Sequence, residues 1–198
     1  MRAAAGEVAE LMRREESRLG EIDAVAGDGD HGRGMVRGSQ AALEAIEGLP
    51  EHAGPASMLR SAGRAWAARA GAPRASCGRL LEAASAAVED SAEELGAEQL
   101  ADAVRRFAES MRTLGGASVG DKTLLDALIP FSDALAGSED AAAAWGDAAA
   151  RAREGAEASA DLVPRKGRAR PLAEKSVGHP DPGAVSMSLI IDKIGERL

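Results

Sequence analysis

The chain has 198 residues, 45% of them hydrophobic, 28% charged and only 2% aromatic, with a net charge of −8. This balance excludes a disordered chain, and the length is enough to bury the core of a single domain over 1–198. The acidic excess argues against a nucleic-acid partner, which needs clustered positive charge, and the scarcity of aromatic residues argues against a sheet sandwich.

Helical periodicity begins at the first residues. Segment 2–19 mixes charges throughout and lacks a signal-peptide apolar run. No segment reaches the ~18 apolar residues of a membrane span, so no membrane contact is expected. After Gly20 comes "EIDAVAGDGDHGRGM" (21–35), and helices are then expected over 33–47, 55–70 and 78–92. Gly48–Pro50 and Gly71–Pro73 punctuate them. Further helices are expected over 97–113, 122–136, 139–161 and 183–197, with a short helical piece near 170–176. The alanine-rich stretch 138–160 reads as helix because alanine has the highest helix propensity. Neither a period-2 strand nor an internal repeat is evident, so an all-α domain of about eight helices is expected. A single cysteine, Cys77, forms no internal disulfide and points to a reducing compartment, hence a cytoplasmic protein.

Four connections carry more than connectors need. In "GDGDHG" (27–32), Asp28 and Asp30 follow Asp23 at spacings of five and two, which cannot share one helix face. A loop must bring the three carboxylates together, and converging carboxylates suit a hard divalent cation. The helix start just beyond would suit phosphate. A turn of Asp and Gly capping the next helix fits the same spacing, and both readings stand. In "RTLGGASVGDKTLLDALIP" (112–130), Gly115 and Gly116 permit close approach of a ligand, Asp121 reads as a helix N-cap and Lys122 as a solvated charge. In 163–191, Arg165, Lys166, Arg168 and Arg170 crowd a basic patch into an acidic protein. "HPDPGA" then sets Asp181 as N-cap with Pro182 in the first turn, and His179 reads as structural or as a ligand. The fourth connection is "ARAGAPRASCGRLL" (68–81). A Ser-His-Asp order, paired-cysteine zinc spacing and a P-loop are all missing.

"DAVAGDGDHGRGM", "GDKTLLDAL" and "KGRARPLAEKSVGHPDPGA" together resemble the L subunit, or C-terminal nucleotide domain, of dihydroxyacetone kinases over essentially the whole chain. The resemblance implies an antiparallel barrel of eight helices that binds ADP or ATP at one end through two Mg²⁺ ions. It places the metals on Asp23, Asp28 and Asp30, and the phosphates against His31, Gly32, Arg33 and Gly34. Further nucleotide contacts are implied at Gly115, Leu124, Lys175, Asp181, Pro182 and Gly183. The implied reaction is phosphoryl transfer to a small hydroxyketone held by a separate K subunit or domain. The phosphate comes either from ATP or, through a bound ADP, from a phosphocarrier of the sugar phosphotransferase system.

His31 and "GHPDPGA" favour this branch over the related nucleotide domain of fatty acid kinases. There are departures: Arg33 and Gly34 stand where some relatives place small or amide residues, and Lys175 replaces a frequent arginine. The larger departure is "APRASCG" (72–78), where the family has a glycine-rich turn touching the nucleotide, so that Pro73 and Arg74 fall on a contact position. Codons for Gly-Thr-Ser-Gly-Val-Leu-Trp-Gly, read one base later, give these seven residues one for one, and the segment reads as a short compensated frameshift, in the gene or as a sequencing error, with ordinary divergence as the alternative. A non-catalytic nucleotide-binding or regulatory module with a damaged loop is the reading from a different class.

Overall fold

The computed structural model describes residues 1–71, 75–91, 97–136, 138–166 and 170–198, and among these it is helical with no strand. Pro73 and Arg74 lie outside the described residues. The first expected helix is two: α1 (Arg2–Arg14) and α2 (Glu16–Ala24), parted at Glu15, whose φ of −90° and ψ of 0° leave the helical region. The second piece extends past the expected end at 19, and so carries Asp23 in its last turn.

The third helix, α3 (His31–Glu47), starts two residues earlier than periodicity suggests, with Asp30 at its N-cap. Its apolar stripe of Met35, Ala42 and Ile46 faces inward. In α4 (Pro55–Arg69), proline opens the first turn, where its missing N–H has no helical role, and Met58, Ala62 and Trp66 form the buried face. Then follow α5 (Ala75–Ala84) and α6 (Ala97–Gly115). The next helix, α7 (Leu125–Ala136), begins three residues later than expected, because 118–124 is a turn in which Lys122 has φ +60°. In α8 (Ala141–Ala158), the Asp140 carboxylate accepts from the N–H groups of Ala142 and Ala143, both at 3.1 Å. The short α9 (Ala173–Ser176) precedes α10 (Pro182–Gly195).

Packing follows a ring. From α1 the contacts run through α3, α4, α5, α6, α7 and α8 to α10, and α10 returns to α1. The two larger apolar clusters fill opposite arcs. One gathers Leu11, Met12, Leu19, Met35 and Trp66, and the other Leu125, Leu128, Phe131, Trp145 and Ala152. Both include residues of α10: Val185 belongs to the first, Ala184, Met187 and Ile191 to the second. Phe131 meets Trp145 edge to face at 4.8 Å between ring centres, and the Trp145 indole N–H donates to the Ile191 carbonyl at 2.9 Å. A cavity of about 1650 Å³ remains, lined by residues such as Ile46, Met58, Phe107 and Leu128. No helix of the described residues is long and apolar enough to cross a membrane.

Candidate functional site

At one end of the ring, three connections meet: the α2–α3 loop, the turn before α7 and the turn before α10. The acidic loop is built around Asp23. A Cβ at Gly27 would lie 2.6 Å from Asp23 Oδ1, so only glycine lets the chain wrap the carboxylate this closely. The His31 N–H, at the start of α3, donates to Asp23 Oδ2 at 3.3 Å. Asp23, Asp28 and Asp30 each bring one carboxylate oxygen within 4.8 Å of the others. Partial burial holds Asp23 above the usual carboxylate range; the charges of Asp28 and Asp30 add to this, while the His31 N–H works against it. A cluster of this kind, half-buried and all-oxygen, has the donor chemistry for a hard divalent cation.

Gly32, buried at the first turn of α3, has a different reason to be glycine. A Cβ there would stand 2.0 Å from the Glu16 carbonyl oxygen, so α3 rides directly on the backbone of α2. Gly34 is also buried, and Arg33 between them is exposed.

The α10 side is fixed by its cap. The Asp181 carboxylate accepts from the Ala184 N–H at 2.8 Å, and Pro182 occupies the first turn, as the sequence indicates. The Asp181 N–H donates to Ser159 Oγ at 2.8 Å, which ties the turn to the end of α8. Burial pushes the Asp181 carboxyl up to about 7, with Asp126 adding to the shift and the N–H groups of Ala184 and Gly183 and the charge of Lys122 opposing it. His31 Nε2 lies 3.0 Å from Ser186 Oγ, joining the start of α3 to the first turns of α10. Leu124 lies beside Gly183, where a Cβ would meet the leucine Cβ at 3.3 Å.

The turn before α7 differs from expectation. Asp121 is not the helix cap; its carboxylate accepts from the Ser118 N–H at 2.9 Å. The buried Asp126 organises the turn instead, accepting from the N–H groups of Gly120 at 2.5 Å and Thr123 at 2.6 Å. Lys122 is not a solvated charge either: it is 4% exposed, and its ammonium donates to the carbonyls of Ser176 (2.7 Å), Leu162 (3.1 Å) and Ala160 (3.2 Å). Burial holds its pKa below the ordinary lysine range, opposed by the charges of Asp181, Asp161 and Asp126.

Of the residues singled out from the sequence, Asp23, His31, Gly115, Leu124, Asp181, Pro182 and Gly183 all line the central cavity. Asp28 and Asp30 stand with Asp23 at its edge. Lys175 is exposed on α9 and does not line it. Sequence reasoning missed Asp126, Ser159, Ser186 and the burial of Lys122. Nothing in their local sequence signals these roles, since each depends on a partner in another connection or on the turn's own fold.

Residues 25–196 match the family described as the DAK2 domain. The chain is 50% identical over 188 residues to the D-erythrulose kinase of Mycolicibacterium smegmatis, a match covering 92% of this chain and 32% of that protein. It is 26% identical over 189 residues to the ADP-binding subunit DhaL of the PEP-dependent dihydroxyacetone kinase of Escherichia coli, covering 93% of this chain and 90% of that subunit. The chain thus spans about a third of the curated erythrulose kinase and nearly all of the separate subunit. Among solved structures, the dihydroxyacetone kinase of C. freundii in complex with AMP-PNP and Mg²⁺ superposes with a TM-score of 0.75 at 23% identity, covering 100% of this chain and 33% of that one.

Proposed function

The chain belongs to the DAK2-domain family, and from that membership we propose that it is the Mg²⁺-dependent nucleotide-binding part of a cytoplasmic hydroxyketone kinase. The observation that carries this reading is the convergence of Asp23, Asp28 and Asp30 within 4.8 Å at the cavity edge, beside the start of α3. The names of the relatives support it: one is an erythrulose kinase, one an ADP-binding subunit, and the C. freundii enzyme is seen with AMP-PNP and Mg²⁺.

In this reading the three carboxylates hold two Mg²⁺ ions, which neutralise phosphate charge when bound. The first turn of α3, from His31 to Gly34, offers helix-terminal N–H groups and a favourable dipole to the phosphates. Ser186 orients the His31 ring from across the cavity. Gly115, Leu124 and the Asp181–Gly183 turn form the wall for the rest of the nucleotide, with Arg33 and Lys175 as cations at its rim. Such a site positions and neutralises rather than forming bonds of its own. The hydroxyketone, of the erythrulose or dihydroxyacetone class, is held by a K domain or subunit. ATP supplies the phosphate, or a phosphotransferase-system phosphocarrier recharges bound ADP.

Calorimetric titration tests the reading. The wild-type chain binds Mg-ADP or Mg-ATP, and Asp28→Ala abolishes metal-dependent binding and any kinase activity reconstituted with a K partner. Activity surviving Asp28→Ala overturns the metal assignment.

A second reading, a non-catalytic nucleotide module, is favoured by one observation: "APRASCG" stands where the family carries a glycine-rich contact loop. Under the kinase reading, the combined change Ala72→Gly, Pro73→Thr, Arg74→Ser and Ala75→Gly tightens Mg-ADP binding by about tenfold, or ~1.4 kcal/mol. Under the module reading it restores nucleotide affinity without phosphoryl transfer. Peptide mass mapping over 72–78 establishes whether the protein itself carries the shifted residues.

A further inference from the structure

We propose that Lys122 is a positioning residue of the nucleotide site: its ammonium clamps the neck from which the chain leaves α8 and returns through α9, and so sets where Lys175 and the Asp181–Gly183 turn stand. This rests on the nucleotide-binding reading above.

The neck has two sides, and one ammonium spans them. Ala160 and Leu162, on the outgoing side, and Ser176, on the returning side, all present carbonyls to Lys122 Nζ, at 3.2, 3.1 and 2.7 Å. An ammonium has three N–H bonds, so this backbone alone fills its donor capacity. The two sides also meet directly, the Gly178 N–H donating to the Ala160 carbonyl at 2.9 Å. The turn that carries Lys122 grips the outgoing side a second time, through the Arg165 N–H and the Asp121 carbonyl at 3.1 Å.

The backbone at Lys122 argues that the side chain is what matters. Among the described residues it is the one non-glycine with a positive φ, +60°, a conformation that glycine adopts without strain. What lysine adds there is the ammonium. Lys175 directly precedes the clamped Ser176, and Asp181 is anchored to Ser159, next to the clamped Ala160. One side chain thus governs the register of four positions assigned to the nucleotide wall and its rim, Lys175 and Asp181 to Gly183, while Asp23, Asp28 and Asp30 lie on other segments.

Two variants test the clamp. Lys122→Met removes the ammonium, and Lys122→Gly removes it while relieving the backbone. Both are expected to be cut by trypsin at Arg165, Lys166, Arg170 or Lys175 at least tenfold faster than wild type without nucleotide. Both bind Mg-ADP at least tenfold more weakly, and with a K partner they raise the nucleotide KM more than they lower kcat. Mn²⁺ alone binds as in wild type. Wild-type Mg-ADP affinity in the glycine variant overturns the proposal, as does loss of Mn²⁺ binding or of folding in both variants, which would mark a general structural role. If the wild-type chain binds no Mg-ADP, the nucleotide reading fails by itself. The tryptic comparison then still judges the clamp, and wild-type cleavage rates in both variants overturn it.

Discussion

Asp181 caps α10 from a site where burial raises its pKa from the ordinary 3.8 to about 7. Between those values the folded protein keeps a proton that the unfolded chain releases. The stability this group contributes is therefore fully present below about pH 4 and is lost as pH rises through about 7. Asparagine caps a helix as well as aspartate does and does not titrate. Thermal melts of wild type and Asp181→Asn are expected to diverge with pH: relative to the variant, wild type loses stability between pH 5 and pH 8. A constant difference across that range would show that the carboxyl is not perturbed. Asp181 and Pro182 were legible in the sequence because capping is a local act, completed within three residues. Lys122 was not, because the carbonyls that bury it lie 38, 40 and 54 positions away. Asp121 and Asp126 show the same limit at closer range: both are acids near a helix start, and only the turn's fold decides which one accepts the free N–H groups.

Among the elements, the α2–α3 contact carries the acidic loop, and Gly32 sets its closeness. A methyl group there meets backbone rather than the movable end of a side chain, so neither partner yields cheaply. Gly32→Ala is expected to destabilise the protein by about 3 kcal/mol in urea denaturation. It also weakens Mn²⁺ binding, because the start of α3 moves away from Asp23. Helix existence was readable throughout, from the stripe of Met35, Ala42 and Ile46 or that of Met58, Ala62 and Trp66. Boundaries were less so. The break at Glu15 has neither proline nor glycine to announce it, and we have no physical account of it. The late start of α7 follows from the turn that Asp126 and Lys122 build.

Over the whole molecule, α10 belongs to both apolar clusters and closes the ring onto α1. Two kinds of bond hold that seam. The surface ion pair of Arg197 with Glu7 is exposed, and such pairs contribute little, so Glu7→Gln is expected to leave the urea midpoint nearly unchanged. Val185, the α10 residue buried in the cluster with Leu11 and Met12, is 8% exposed, and Val185→Ala is expected to cost about 2 kcal/mol in the same urea experiment. Equal costs would mean that the seam is electrostatic. From spacing alone the three aspartates fitted a metal loop and a capped turn equally; their meeting with His31, Leu124 and Asp181 on one cavity was implied by the family resemblance and not by spacing. It depends on how a ring brings its connections to one end.

That same closure imposes an order in time. The Arg197–Glu7 pair joins positions 190 apart, so the seam forms at a large loop-closure cost. Neighbouring helices meet early through local contacts, leaving an open arc whose inward apolar faces stay uncovered until α10 arrives. A growing chain at the ribosome passes through this arc, and its exposure to chaperones or to aggregation lasts until α10 has emerged and docked.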